Sequence, residues 1–80
     1  VTVKNGETAT VTVTASGEGK TYEWYFKDTN LSKFYLTKSF TGNTYTTTMT
    51  EARNGRQVYC VITDKYGNSV KTNTVTLNKK

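Results

Sequence analysis

From Thr8 to Ala15 the chain reads TATVTVTA, and no other stretch leaves the fold so little choice. Ala9, Val11, Val13 and Ala15 alternate one for one with Thr8, Thr10, Thr12 and Thr14. Successive side chains of a strand point to opposite faces, so this alternation puts the apolar groups on one side and the hydroxyls on the other. A helix would scatter both sets around its axis. The segment is therefore expected to be a β-strand with one buried face, and such a face needs a second layer to cover it.

The rest of the chain repeats this pattern in shorter pieces. Val1 and Val3 alternate with Thr2 and Lys4. Tyr22, Trp24 and Phe26 share one face of TYEWYF, with Glu23 and Tyr25 on the other. KFYLTKSF, from Lys33 to Phe40, holds a short edge strand. Tyr45, Thr47 and Met49 alternate with Thr44, Thr46 and Thr48. Val58, Cys60 and Ile62 oppose Tyr59, Val61 and Thr63, and Val70, Val75 and Leu77 carry a last strand. Between them lie turn signals at NGE, SGEGK, KDTN, TGN and DKYGN, and EARNG has room for one helical turn. Proline is absent, and no long run has the i, i+3, i+4 apolar spacing of a substantial helix. The reading is all-β, a sandwich of about seven antiparallel strands in two sheets, with turns every eight to twelve residues or roughly so. With 80 residues there is room for a single domain, residues 1–80, expected to be excised from a longer multidomain protein. Its core is expected to contain Val11, Val13, Tyr22, Trp24, Val58, Cys60, Ile62 and Val75.

As a set, these pieces resemble a family. YEWYF resembles the third strand of an immunoglobulin-like domain, with Trp24 as its core tryptophan. GRQVYCVITDKYGNSV resembles the sixth strand, hairpin turn and last strand, and NGETATVTVTASG the first pair. More narrowly, nearly the whole chain is similar to the immunoglobulin-like repeats of Gram-positive, gut Firmicutes-type bacterial surface proteins. The resemblance implies a tandem-repeat, extracellular context at the cell wall or in secretion, beside other domains of the same chain. It implies either a spacer that presents those domains or a cell-adhesion module. Two departures from the antibody-type pattern stand out. The position of the first cysteine is Val13, so the bridge between the sheets is not expected, and the tyrosine two residues before the second cysteine is replaced by Val58.

Cys60 is the only cysteine. Its register with Val58 and Ile62 makes it a small core hydrophobe; a reactive thiol would need exposure and a basic or cationic neighbour. There is no histidine, which removes a Ser–His–Asp or Cys–His arrangement and leaves too few ligands for zinc. The acidic residues fall mostly in turns, where Asp28 with Asn30, or Asp64 with Asn68, either cap backbone amides or hold calcium. No glycine-rich loop has phosphate-binding spacing. Neither an enzyme nor a cofactor is expected.

The formal charge is +5, but the lysines are spread over every segment. Dispersed lysines keep strand edges from pairing with other chains, and they do not form the stripe that nucleic-acid binding needs. No apolar stretch approaches the roughly 20 residues of a membrane-spanning helix, so direct membrane insertion is not expected. What remains is aromatic. Tyr25 and Tyr59, with Tyr35, are expected to face solvent, and the third and sixth strands are neighbours in the resembled fold. Such rings either bind a glycan or a host protein or merely stabilise a solvated sheet face as a cross-strand pair.

Overall fold

The computed structural model describes residues 1–14 and 20–80. The expected inward position of Ala15 and the turn over residues 16–19 lie outside the described residues. Among those described, the chain forms eight strands: β1 (Thr2–Val3), β2 (Thr8–Thr12), β3 (Thr21–Lys27), β4 (Tyr35–Thr37), β5 (Thr44–Thr48), β6 (Arg56–Thr63), β7 (Ser69–Lys71) and β8 (Val75–Lys79). A single 3-10 turn covers Glu51–Arg53.

The strands make two sheets of unequal size. The larger runs β1-β8-β6-β3-β4, with β7 also paired to β6, and the smaller is β2 beside β5. All pairings are antiparallel except one. Thr2 and Val3 run parallel to Asn78 and Lys79, which corrects the expectation of a wholly antiparallel fold. The chain leaves β1 through a turn at Gly6, whose φ of 88° suits glycine. It then enters β2 in the other sheet, so the N-terminal segment contributes to both layers. The strand expected from Val70 to Leu77 is also two strands. β7 pairs Val61–Thr63 and β8 pairs Arg56–Val58. Between them Thr72 is pinned to Cys60, whose carbonyl accepts from the Thr72 amide at 2.9 Å and whose amide donates to the Thr72 hydroxyl at 2.9 Å. A side-chain oxygen thus stands where a strand would supply a carbonyl, and the ladder breaks there.

Between the sheets lie Ala9 and Val11 of β2, Tyr45 of β5 and Met49 just after it, and Trp24, Val58, Cys60, Ile62 and Leu77 of the larger sheet. Val13, Tyr22 and Val75, expected in the core, pack against it without being enclosed. Val13 lies just past the last β2–β5 pair, Tyr22 near the start of β3 and Val75 at the first residue of β8, next to the break in the ladder. Ala9, Tyr45, Met49 and Leu77 are core residues absent from the expected set. Trp24 is fully buried opposite Cys60. Its indole N–H donates to the Gly42 carbonyl at 2.8 Å, so the large ring is enclosed without leaving its polar atom unpaired.

The far end of the sandwich is closed by an ion pair. Arg56, at the start of β6, reaches Asp28, just after β3, with Nε–Oδ1 at 2.6 Å and Nη2–Oδ2 at 2.9 Å. Its Nη1 donates to the Tyr45 hydroxyl at 3.0 Å, and its guanidinium lies 4.8 Å from the centre of the Phe26 ring. One side chain therefore ties β3, β5 and β6 together. Gly55, just before it, is required twice over. Its φ is 86°, and a Cβ there would stand 2.7 Å from the Thr29 methyl.

Candidate functional site

Tyr25 of β3 and Tyr59 of β6 are directly opposite in the β3–β6 register, on the face away from the core. Their rings stack with centroids 5.0 Å apart and planes within 11°. Phe34, ahead of β4, meets Tyr59 edge-on at 4.8 Å. From β7, on the other side of β6, the Lys71 ammonium sits 4.4 Å from the centre of the Tyr59 ring. Tyr59 is thus held between Tyr25 and Lys71, with Phe34 at its edge. Such pairs add about 0.5–1.5 kcal/mol beyond their buried area, and the ammonium adds a cation–π contact.

Tyr35 does not belong to this group. Cross-strand partners share a face, and Tyr35 pairs with Phe26 while Leu36 pairs with Tyr25. Tyr35 is 42% exposed, but it lies on the opposite face of β3 and β4, 6.4 Å from the Phe26 ring. An odd spacing from the edge strand to Tyr25 cannot be assigned to a face before the register of that strand is known. Phe34 and Lys71 are the members of the cluster that sequence reasoning missed, because both come from segments whose pairing partners no local pattern reveals.

Chemically, the cluster offers little to a ligand. A sugar that stacks needs an open ring face, and both sides of Tyr59 carry a partner. All three aromatic residues are half-buried, and Leu36 is the more exposed apolar neighbour. Cys60, one residue on from Tyr59, points the other way and is fully buried. Burial pushes its thiol pKa up, so it stays protonated and a poor nucleophile. The turn acids have structural partners. Asp28 holds Arg56, and Asp64 Oδ1 accepts from the amides of Tyr66 at 2.8 Å and Asn68 at 3.0 Å.

Set beside known proteins, the chain matches no family model, no curated relative and no solved structure.

Proposed function

We propose that the chain is a non-catalytic, immunoglobulin-like module of a secreted bacterial surface protein that spaces and presents neighbouring domains. The observation that carries this reading is the direction of its terminal strands. β1 and β8 are parallel neighbours. Chain arriving at β1 and chain departing from β8 therefore travel the same way along one edge of the larger sheet, which is how links are strung end to end. The strand neighbours of the larger sheet, with β3 beside β6 and Trp24 opposite Cys60, support the immunoglobulin-like comparison. The adhesion alternative through Tyr25 and Tyr59 has weaker support, because those rings already serve each other, Phe34 and Lys71.

A spacer under tension must keep its shape. Pulling on the two termini loads the β1–β8 ladder in shear. The Asn78 amide donates to the Val1 carbonyl at 2.8 Å and the Lys80 amide to the Val3 carbonyl at 2.9 Å, so these bonds share the load rather than open one by one. Single-molecule stretching of a concatenated chain tests this directly. A spacer is expected to extend in discrete, equal steps, one per copy, each requiring force well above that of thermal fluctuation. Smooth extension at low force would remove the reading.

A further inference from the structure

Both arginines of the chain, Arg53 and Arg56, line one cleft, and nothing in a spacer calls for that. The cleft measures about 500 Å³, within the roughly 300–1,000 Å³ typical of small-molecule sites. It lies between the outer edge of β5, which has no strand partner among the described residues, and Thr37, Ser39 and Phe40 at and after β4. The two arginines play different parts. Arg56 is fully engaged, since Asp28 takes its Nε and Nη2 and Tyr45 its Nη1. Arg53 is fixed at one nitrogen only, where Nη1 donates to the Thr47 hydroxyl at 3.2 Å and the Thr48 carbonyl at 2.8 Å. Its Nε–Nη2 edge has no protein partner among the described residues, and that edge is the fork that takes a carboxylate in two parallel bonds.

The remaining wall decides what kind of carboxylate fits. No Asp or Glu lines the cleft, so the positive charge of Arg53 is uncompensated there. Ser39, Thr37 and Thr47, the last on the same face of β5 as Tyr45, bring hydroxyls that both donate and accept. Phe40 packs on Tyr45 with centroids 4.8 Å apart and gives the cleft an aromatic wall. One free guanidinium fork, several hydroxyls and an aromatic ring form a poor cage for a compact phosphate, which wants several cations or amides. They suit a ring that bears one carboxylate and several hydroxyls and has an apolar C–H face to lay on the aromatic wall. We infer that this cleft binds an acidic sugar, with the carboxylate on Arg53, the sugar hydroxyls on Ser39, Thr37 and Thr47, and the apolar side of the ring against Phe40.

The test is a titration of the isotope-labelled chain, followed by amide chemical shifts at physiological and raised salt. The probes are D-galacturonate, neutral D-galactose, acetate and inorganic phosphate. Galacturonate is expected to shift Ser39, Phe40 and Thr46–Thr48 selectively, and galactose, lacking the carboxylate, to bind at least about tenfold more weakly. Arg53→Gln is expected to lose at least about tenfold in affinity, and Arg53→Lys, which keeps the charge without the fork, to lose nearly as much. Should Arg53→Gln disturb the 3-10 turn, Ser39→Leu fills the cleft from a residue outside these hydrogen bonds and is expected to abolish binding with amide dispersion unchanged. The inference is overturned if acetate or phosphate binds as tightly as galacturonate. It is also overturned if the shifts scatter over the lysines, or if binding survives Arg53→Gln or Ser39→Leu in a folded chain.

Discussion

Two aromatic clusters lie back to back across the larger sheet. On the outside, Tyr25, Tyr59 and Phe34 close on one another. On the inside, Trp24, Tyr45 and Phe40 form a row between the sheets, with centroids 5.7 Å apart for Trp24–Tyr45 and 4.8 Å for Phe40–Tyr45. The residues alternate along the same strands, Trp24 beside Tyr25 and Tyr59 beside Cys60, yet the consequences diverge. The outer rings are paired by strand register and leave no open ring face at Tyr59. Of the inner rings Trp24 and Tyr45 are buried and Phe40 is only partly covered, because among the described residues the smaller sheet has two strands and β5 ends the layer. Where that layer stops, the inner row opens into the cleft that holds both arginines. The lesson is that exposure alone is a poor guide to a binding surface. The more visible aromatic group is the self-satisfied one, and the inner row, open only at Phe40, borders the unpaired fork of Arg53.

The sharpest way to break this contrast is Trp24→Ala. Removing a large enclosed aromatic costs about 3–5 kcal/mol, against a typical domain stability of about 5–15 kcal/mol. The variant is expected to be largely unfolded or to melt far below the parent in denaturant titration. A near-native midpoint would mean that the inner row does not carry the fold.

Next in size is the ion pair at the end of that row. The side chains of Arg56 and Asp28 are 13% and 17% exposed. Asp28→Ala leaves a mostly buried guanidinium without its carboxylate, and the expected loss is about 2 kcal/mol. Replacing both partners with apolar residues, Asp28→Ala with Arg56→Met, is expected to cost less than that single change, since the stranded charge is gone. A double variant worse than Asp28→Ala would show that Arg56 also stabilises through Tyr45 and Phe26.

How much of this contrast the sequence reveals follows from period-2 logic. That logic separates Trp24 from Tyr25 and Cys60 from Tyr59, so the two faces of β3 and β6 are legible residue by residue. The same logic marks β2 as half-buried from its alternation alone. It fails where pairing is not local. Tyr35 is exposed as expected, but which face of the sheet it shares is not legible, because a three-residue edge strand has too short a pattern to fix its register. The break between β7 and β8 escapes notice because it depends on the Thr72 hydroxyl meeting Cys60 across the sheet. The cleft is invisible for a stronger reason. Arg53 and Arg56 look like ordinary charges of a turn, and only the packing of β5 against the segment after β4 gives them a common wall.

On the outer face the expected effect is smaller. A double-mutant cycle on Tyr25→Thr and Tyr59→Thr should give a coupling energy of about 1 kcal/mol or less, the value of a cross-strand aromatic pair beyond its burial. Chemical denaturation of the four chains measures it. A coupling near zero would mean that the stacked geometry contributes nothing, and the rings would then be free to serve a ligand. Thermal melting of Lys71→Ala sharpens the point, since it uncovers one side of Tyr59 and is expected to cost under about 1 kcal/mol at an exposed site.

The smallest effect belongs to the turn between β6 and β7, remote from both clusters. The Asp64 carboxylate accepts from the amides of Asn68 and Tyr66. The Asn68 amide, above all, holds the pKa of Asp64 below its ordinary value of 3.8. A lowered pKa means that the folded turn prefers the ionised form, so the contribution of this group is present above pH 3.8 and is lost as the pH falls through the depressed value. Because Asp64 is solvated, the change is expected in local structure rather than in overall melting. On acidification the amide resonances of Tyr66 and Asn68 should move together, with a midpoint below 3.8, while those of Trp24 and Tyr59 stay fixed. Asp64→Asn should erase that titration. If the Tyr66 and Asn68 amides keep their positions down to full protonation, the carboxylate is not what orders the turn, and Gly67, with its φ of 87°, is left as the residue that shapes it.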